Sequence, residues 1–85
     1  MVDTALIKVD NLENSIRIYP NPVNDYLYIE STEVIGFCIY DLYGNQILSG
    51  HNKVVDVRSL QSGMFLLKIS TTNNKDLIIR FVRYK

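Results

Sequence analysis

The chain reads as an all-β protein, a two-layer β-sandwich of about seven short antiparallel strands. Three observations predict this. Apolar residues recur at spacing two in short runs, and turn-forming residues interrupt those runs every eight to twelve positions or so. No stretch carries the 3.6-residue period and the length of an amphipathic helix. Two layers are preferred to one because a lone sheet of this size leaves its apolar face wet, and each apolar side chain moved inside contributes roughly 1.5–3 kcal/mol.

The first strand is expected over residues 15–19, with Ile16 and Ile18 inward and Ser15, Arg17 and Tyr19 outward. Pro20, Asn21 and Pro22 end it. Two prolines around an asparagine remove two backbone donors and hold the chain extended, which predicts a bend or a sheet edge at the corner between sheets. Alternation resumes over residues 25–30 with Leu27 and Ile29 inward. Residues 35–43 are apolar on both faces, the pattern of a central strand covered from both sides, and their facing stays ambiguous. Gly44 and Asn45 tolerate positive φ and predict a tight reversal that returns residues 46–49 antiparallel. After a turn at Gly50, His51 and Asn52, Val55 and Val57 alternate with Asp56 and Arg58, and Leu60 closes the apolar set. Gly63 opens a strand whose core face is Phe65, Leu67 and Ile69. Thr72, Asn73, Asn74 and Lys75 turn the chain into a last strand over residues 76–84. The expected core is Ile16, Ile18, Leu27, Ile29, Ile39, Val55, Val57, Leu60, Phe65, Leu67 and Ile69. Residues 1–14 precede the rhythm and are expected to be a linker.

Composition narrows the function. An 85-residue chain that is 47% apolar and 21% charged has the balance of one small globular domain. Nine basic residues offset nine acidic ones, so no chain-wide positive field exists to attract nucleic acid or an anionic membrane. The single cysteine, Cys38, has no partner for an intramolecular disulfide or a CxxC site. No apolar run approaches the roughly 18 residues of a membrane helix, and residues 1–12 lack the basic start and apolar stretch of a secretory signal. No membrane insertion is expected.

Nor do the reactive residues assemble into chemistry. The one histidine, His51, falls in a turn without the further ligands a metal needs, so neither a metal nor a cofactor is expected. Cys38 and His51 lie in different elements and offer no nucleophile with a positioned base. Asp25, Asp41, Asp56 and Asp76 look like turn or solvent-face residues rather than a hydrolytic pair. Catalysis is not expected. Asp25 and Asp41 are read as turn caps, and Gly44 and Gly63 as backbone requirements.

A binding role rests on the tyrosines. Tyr19, Tyr26, Tyr28 and Tyr43 offer a sugar-stacking strip of the kind found in small carbohydrate-binding or adhesion modules. Tyrosines are also ordinary strand formers, and the absence of tryptophan weighs against sugar binding.

Four segments resemble one known family in order and spacing. Ile18-Tyr19-Pro20-Asn21-Pro22-Val23-Asn24-Asp25-Tyr26-Leu27-Tyr28-Ile29 looks like the opening motif of type A C-terminal sorting domains of the type IX (Por) secretion system. Ile39-Tyr40-Asp41-Leu42-Tyr43-Gly44-Asn45 resembles the central hairpin of that family. Residues 55–69, with Leu60 and Gly63, resemble its leucine-to-glycine turn and following strand. Arg80-Phe81-Val82-Arg83-Tyr84-Lys85 is similar to its basic-apolar tail, with arginine where lysine is common.

The resemblance covers residues 15–85 and implies an immunoglobulin-like β-sandwich at the C-terminus of a larger cargo protein. It implies passage through the periplasm, recognition by type IX translocon or shuttle proteins, cleavage by a surface sortase, and a destination at the cell surface or outside the cell. The cleavage point is expected within or beside residues 1–14. Arg80, Phe81, Val82, Arg83 and Lys85 are the expected recognition residues. One physical route is a receptor that pairs with an exposed sheet edge while its acidic groups engage Arg80, Arg83 and Lys85. The alternative is that these cations only blunt an edge strand against aggregation. A monomer is expected in dilute solution.

Overall fold

The structure, a computed structural model, describes residues 16–72 and 75–84. The expected linker over residues 1–14, Ser15, Asn73, Asn74 and Lys85 lie outside the described residues. Among the described residues there are seven strands, β1 (Arg17–Tyr19), β2 (Tyr26–Glu30), β3 (Val34–Tyr40), β4 (Gln46–Gly50), β5 (Val54–Asp56), β6 (Gly63–Thr71) and β7 (Asp76–Arg83). They form a three-stranded sheet, β1-β2-β5, and a four-stranded sheet, β4-β3-β6-β7. Every strand pair is antiparallel. The fold is all-β, as the period-two pattern predicts.

One hydrophobic cluster fills the interior. Ile16, Leu27, Ile29, Val55 and Val57 enter it from the three-stranded side, and Phe37, Ile39, Phe65, Leu67, Ile69 and Phe81 from the four-stranded side. Val23 and Leu60 complete it from the connecting segments. Ten of the eleven expected core residues are buried. The exception, Ile18, is half-buried and packs against the cluster, because it lies on the short edge strand β1, which has a neighbouring strand on one side only. Phe65 and Phe81, cross-strand partners, stack at 5.8 Å between ring centroids and tie β6 to β7 inside the core.

The strand expected over residues 35–43 requires correction in two respects. It is central in its sheet, between β4 and β6, yet it stops at Tyr40. Asp41 stops it: Oδ1 accepts the amides of Tyr43 and Asn45 at 2.9 Å each, and Oδ2 accepts Asn45 Nδ2–H at 3.0 Å. Gly44 takes φ +92° in this turn. The strand is also covered by the core on one face alone. Phe37 and Ile39 point inward, while Cys38 and Tyr40 are half-buried on the outer face.

The Pro20-Asn21-Pro22 bend is the corner between the sheets. β1 belongs to the three-stranded sheet, but Val23 forms a parallel bridge with Arg83 at the end of β7 in the other sheet. The chain then returns to the first sheet as β2. Both proline peptide bonds of the bend are cis.

Candidate functional site

The last strand and the bend that grips it bring together most of the residues singled out in the sequence. In β7, alternation divides the side chains into two sets. Leu77, Ile79, Phe81 and Arg83 face the interior, and Asp76, Ile78, Arg80 and Val82 face outward. The expected recognition residues are therefore split. Arg80 is exposed and Val82 half-buried on the outer face, whereas Phe81 is fully buried and Arg83 is 4% exposed. A chain end that displays its cations as a group is corrected here: Arg83 is turned into the fold.

Buried Arg83 is a structural clamp. Its Nε–H donates to the Asn24 carbonyl at 2.8 Å and its Nη1–H to the Leu60 carbonyl at 2.6 Å. Its Nη2 lies 3.9 Å from Asp25 Oδ1. One guanidinium thus joins the segment after the bend, the turn at Leu60 and the end of β7, with a carboxylate near its charge. A fork of fixed N–H donors suits this task, because the acceptors lie in different directions. Gly63, with φ +145°, starts β6 directly opposite Arg83. Asp25, Leu60, Gly63 and Arg83 so form one cluster, in which the Asp25 carbonyl also accepts the Val57 amide at 2.9 Å.

The bend closes the edge of β7. Asn21 Nδ2–H donates to the Arg80 carbonyl at 3.3 Å, and Asn21 Oδ1 accepts the Val82 amide at 3.0 Å. The Val82 carbonyl accepts the Val23 amide at 2.8 Å, and the Val23 carbonyl accepts the Tyr84 amide at 2.9 Å. An asparagine side chain has the donor and acceptor of a peptide group, so Asn21 continues the ladder where its flanking prolines have no N–H to give. The edge expected to be open to a receptor is occupied along Arg80–Tyr84 by the protein itself.

Sequence reasoning missed three of these roles: Asn21 as a ladder partner, Val23 as core, and Arg83 as clamp. For Arg83 a signal existed, since period two places it on the same face as Phe81. The hydrogen bonds of Asn21 span 59 and 61 residues and those of Arg83 span 59 and 23, so the partners leave no local pattern.

The other candidates lie elsewhere. Asp41 and Gly44 shape the β3–β4 turn, away from this cluster in sequence and topology. The Asn45 side-chain amide, followed by the Asn45 backbone amide, holds the Asp41 carboxyl below its ordinary pKa. Hydrogen bonds from Arg58 hold Asp56 at about 2, and the same ion pair raises Arg58. His51 is exposed, with Nδ1 3.1 Å from the Ile35 carbonyl. Among the described residues no group of three His, Cys, Asp or Glu is placed to hold a metal ion.

Tyr19, Tyr26 and Tyr28 do share the outer face of the three-stranded sheet, but their rings are engaged. Tyr19 and Tyr28 stack on each other at 5.6 Å, and Arg58 lies 5.1 Å over Tyr26. Tyr43 belongs to the β3–β4 turn of the other sheet, so the four tyrosines do not form one strip.

The family model described as "Secretion system C-terminal sorting domain" matches residues 17–82, from the first residue of β1 into β7. No curated protein matches the chain.

Proposed function

The chain belongs to the secretion system C-terminal sorting domain family and carries a type IX secretion sorting signal, and from that premise we propose how the signal is used. The domain is a folded, non-catalytic address at the end of a larger cargo protein. The cargo reaches the periplasm, the type IX translocon or its shuttle reads the domain, and the cargo is carried across the outer membrane. A surface sortase then cuts within or beside residues 1–14, upstream of β1. Recognition falls to side chains of the last strand that face outward, Arg80 and Val82, together with Lys85. Phe81 and Arg83 contribute by holding that strand in place.

The observation that carries this reading is the family match over both sheets of the fold. The internal clamp on β7 supports it, since the last strand is tied to the bend and to the turn at Leu60. Removal of residues 16–85 from the full-length protein is expected to leave the cargo in the periplasm; cargo that still reaches the exterior contradicts the proposal. Deletion of Arg80–Lys85 alone is a poorer test, because it also removes the core residue Phe81 and the clamp Arg83. A glycan array discriminates the adhesion-module alternative: binding that depends on Tyr19 and Tyr28 favours sugar recognition, and silence favours the address.

A further inference from the structure

The outer face of the four-stranded sheet has the make-up of an interface core. Cross-strand pairing places its side chains in rows: Ser49, Cys38, Lys68 and Ile78 in one, Gln46, Tyr40, Leu66 and Arg80 in the next, then Met64 and Val82. Cys38, Tyr40, Leu66, Met64, Val82 and Ile78 make most of this face apolar. Ile78 is 61% exposed and Met64 40%. An antiparallel sheet with one solvated face ordinarily reads polar on that face. The three-stranded sheet follows the rule more closely, with the Arg17–Glu30 and Arg58–Asp56 pairs among its tyrosines.

Charge on the four-stranded face is unbalanced. Lys68 and Asp76 pair at 3.6 Å toward one side. Arg80 sits between Ile78 and Val82 along β7, opposite Leu66, and has no carboxylate partner among the described residues. Tyrosine, methionine and arginine are residue types enriched at the centres of protein interfaces. An unpaired guanidinium within an apolar surface suits a partner that brings a carboxylate to it.

We infer that this face is the docking surface for a folded protein partner whose contact region is apolar around one or more carboxylates, with Arg80 on the edge strand as the unpaired charge that they meet. The inference rests on the export reading above and names the surface that the export machinery reads. Two alternatives fit less well. A second copy docking through the same face would bring another unpaired Arg80, and the carboxylate on that face, Asp76, is already paired with Lys68. Strand addition along Arg80–Tyr84 is blocked by Asn21 and Val23, which already occupy that edge.

The test fuses the whole chain to a passenger protein in a type IX-competent cell and introduces Ile78→Glu, Met64→Glu or Arg80→Glu. Val54→Glu, an exposed position on the outer face of the opposite sheet, is the control. Each purified variant is also melted, and Ile78→Ser stands in should Ile78→Glu fail to fold. Export is expected to fall about tenfold or more for the three variants on the docking face, with melting temperatures unchanged and Val54→Glu exported normally. Normal export of both Ile78→Glu and Arg80→Glu overturns the inference, as does an equal loss in Val54→Glu. A wild-type dimer that Ile78→Glu dissociates would assign the face to self-association and overturn it as well. Retention of the wild-type fusion overturns the export reading, and this inference with it.

Discussion

At the scale of single residues, the end of the chain depends on one buried arginine. Arg83→Ala leaves the Leu60 and Asn24 carbonyls without their charged donor, a loss expected to cost about 2–4 kcal/mol in denaturant unfolding. Arg83→Met keeps the stem and loses the same bonds, so it should recover little of that. Arg80→Ala, on the exposed face of the same strand, should change stability by less than about 0.5 kcal/mol. A reversed ranking of these two positions would refute the division of β7 into clamp and display. Gly44→Ala forces a side chain into φ +92° with nothing nearby to offset it, and is expected to cost about 1 kcal/mol, with Gly44→Asn milder. Acid acts through Asp41 and Asp56, whose folded pKa values lie below the ordinary 3.8, about 2 for Asp56. Their stabilisation is complete above the unfolded value and is lost as pH falls through the folded one, so stability should decline from about pH 4 toward pH 2. Asp56→Asn should flatten that decline, and an unchanged acid slope would show that the pair with Arg58 does not act in solution.

At the scale of elements, the Pro20-Asn21-Pro22 bend does more than turn a corner. Because Asn21 accepts the Val82 amide, Asn21→Ala should speed hydrogen exchange at Val82 about fivefold, the equivalent of roughly 1 kcal/mol of local opening, with β2 unaffected. Equal exchange in both proteins would mean that the side-chain bond does not form. The elements also show how far sequence reaches. Leu27 and Ile29 between Tyr26, Tyr28 and Glu30 declare their facing, and the strands built from such alternation lie where period two puts them. The run from Ile35 to Tyr43 does not declare it, because Cys38 and Tyr40 on its outer face are no more polar than Phe37 and Ile39 on its inner one. Its end depends on Asp41, whose capping role is legible, though the point at which it stops the strand is not. Val23 and Phe37 entered the core unannounced, since a lone apolar residue in a bend and one apolar residue in an all-apolar run carry no periodic mark. Asn21 acts across 59 to 61 positions and Arg83 across 59 and 23, beyond any local pattern.

At the scale of the molecule, two sheets share one hydrophobic cluster, and the bend and Arg83 join their ends. A body built this way should unfold in one cooperative transition, with β-sheet ellipticity and tyrosine fluorescence changing together. Separate transitions would show that the three-stranded sheet opens on its own. Family membership ties this body to type IX secretion. Its proposed role lies in the surface that this body holds out. The most direct measurement is sufficiency: the fraction of an unrelated, inner-membrane-exported reporter found outside type IX-competent cells, with and without this chain at its C-terminus. The reporter is expected outside when it carries the chain and in the periplasm when it does not. The same distribution in both strains would contradict the account.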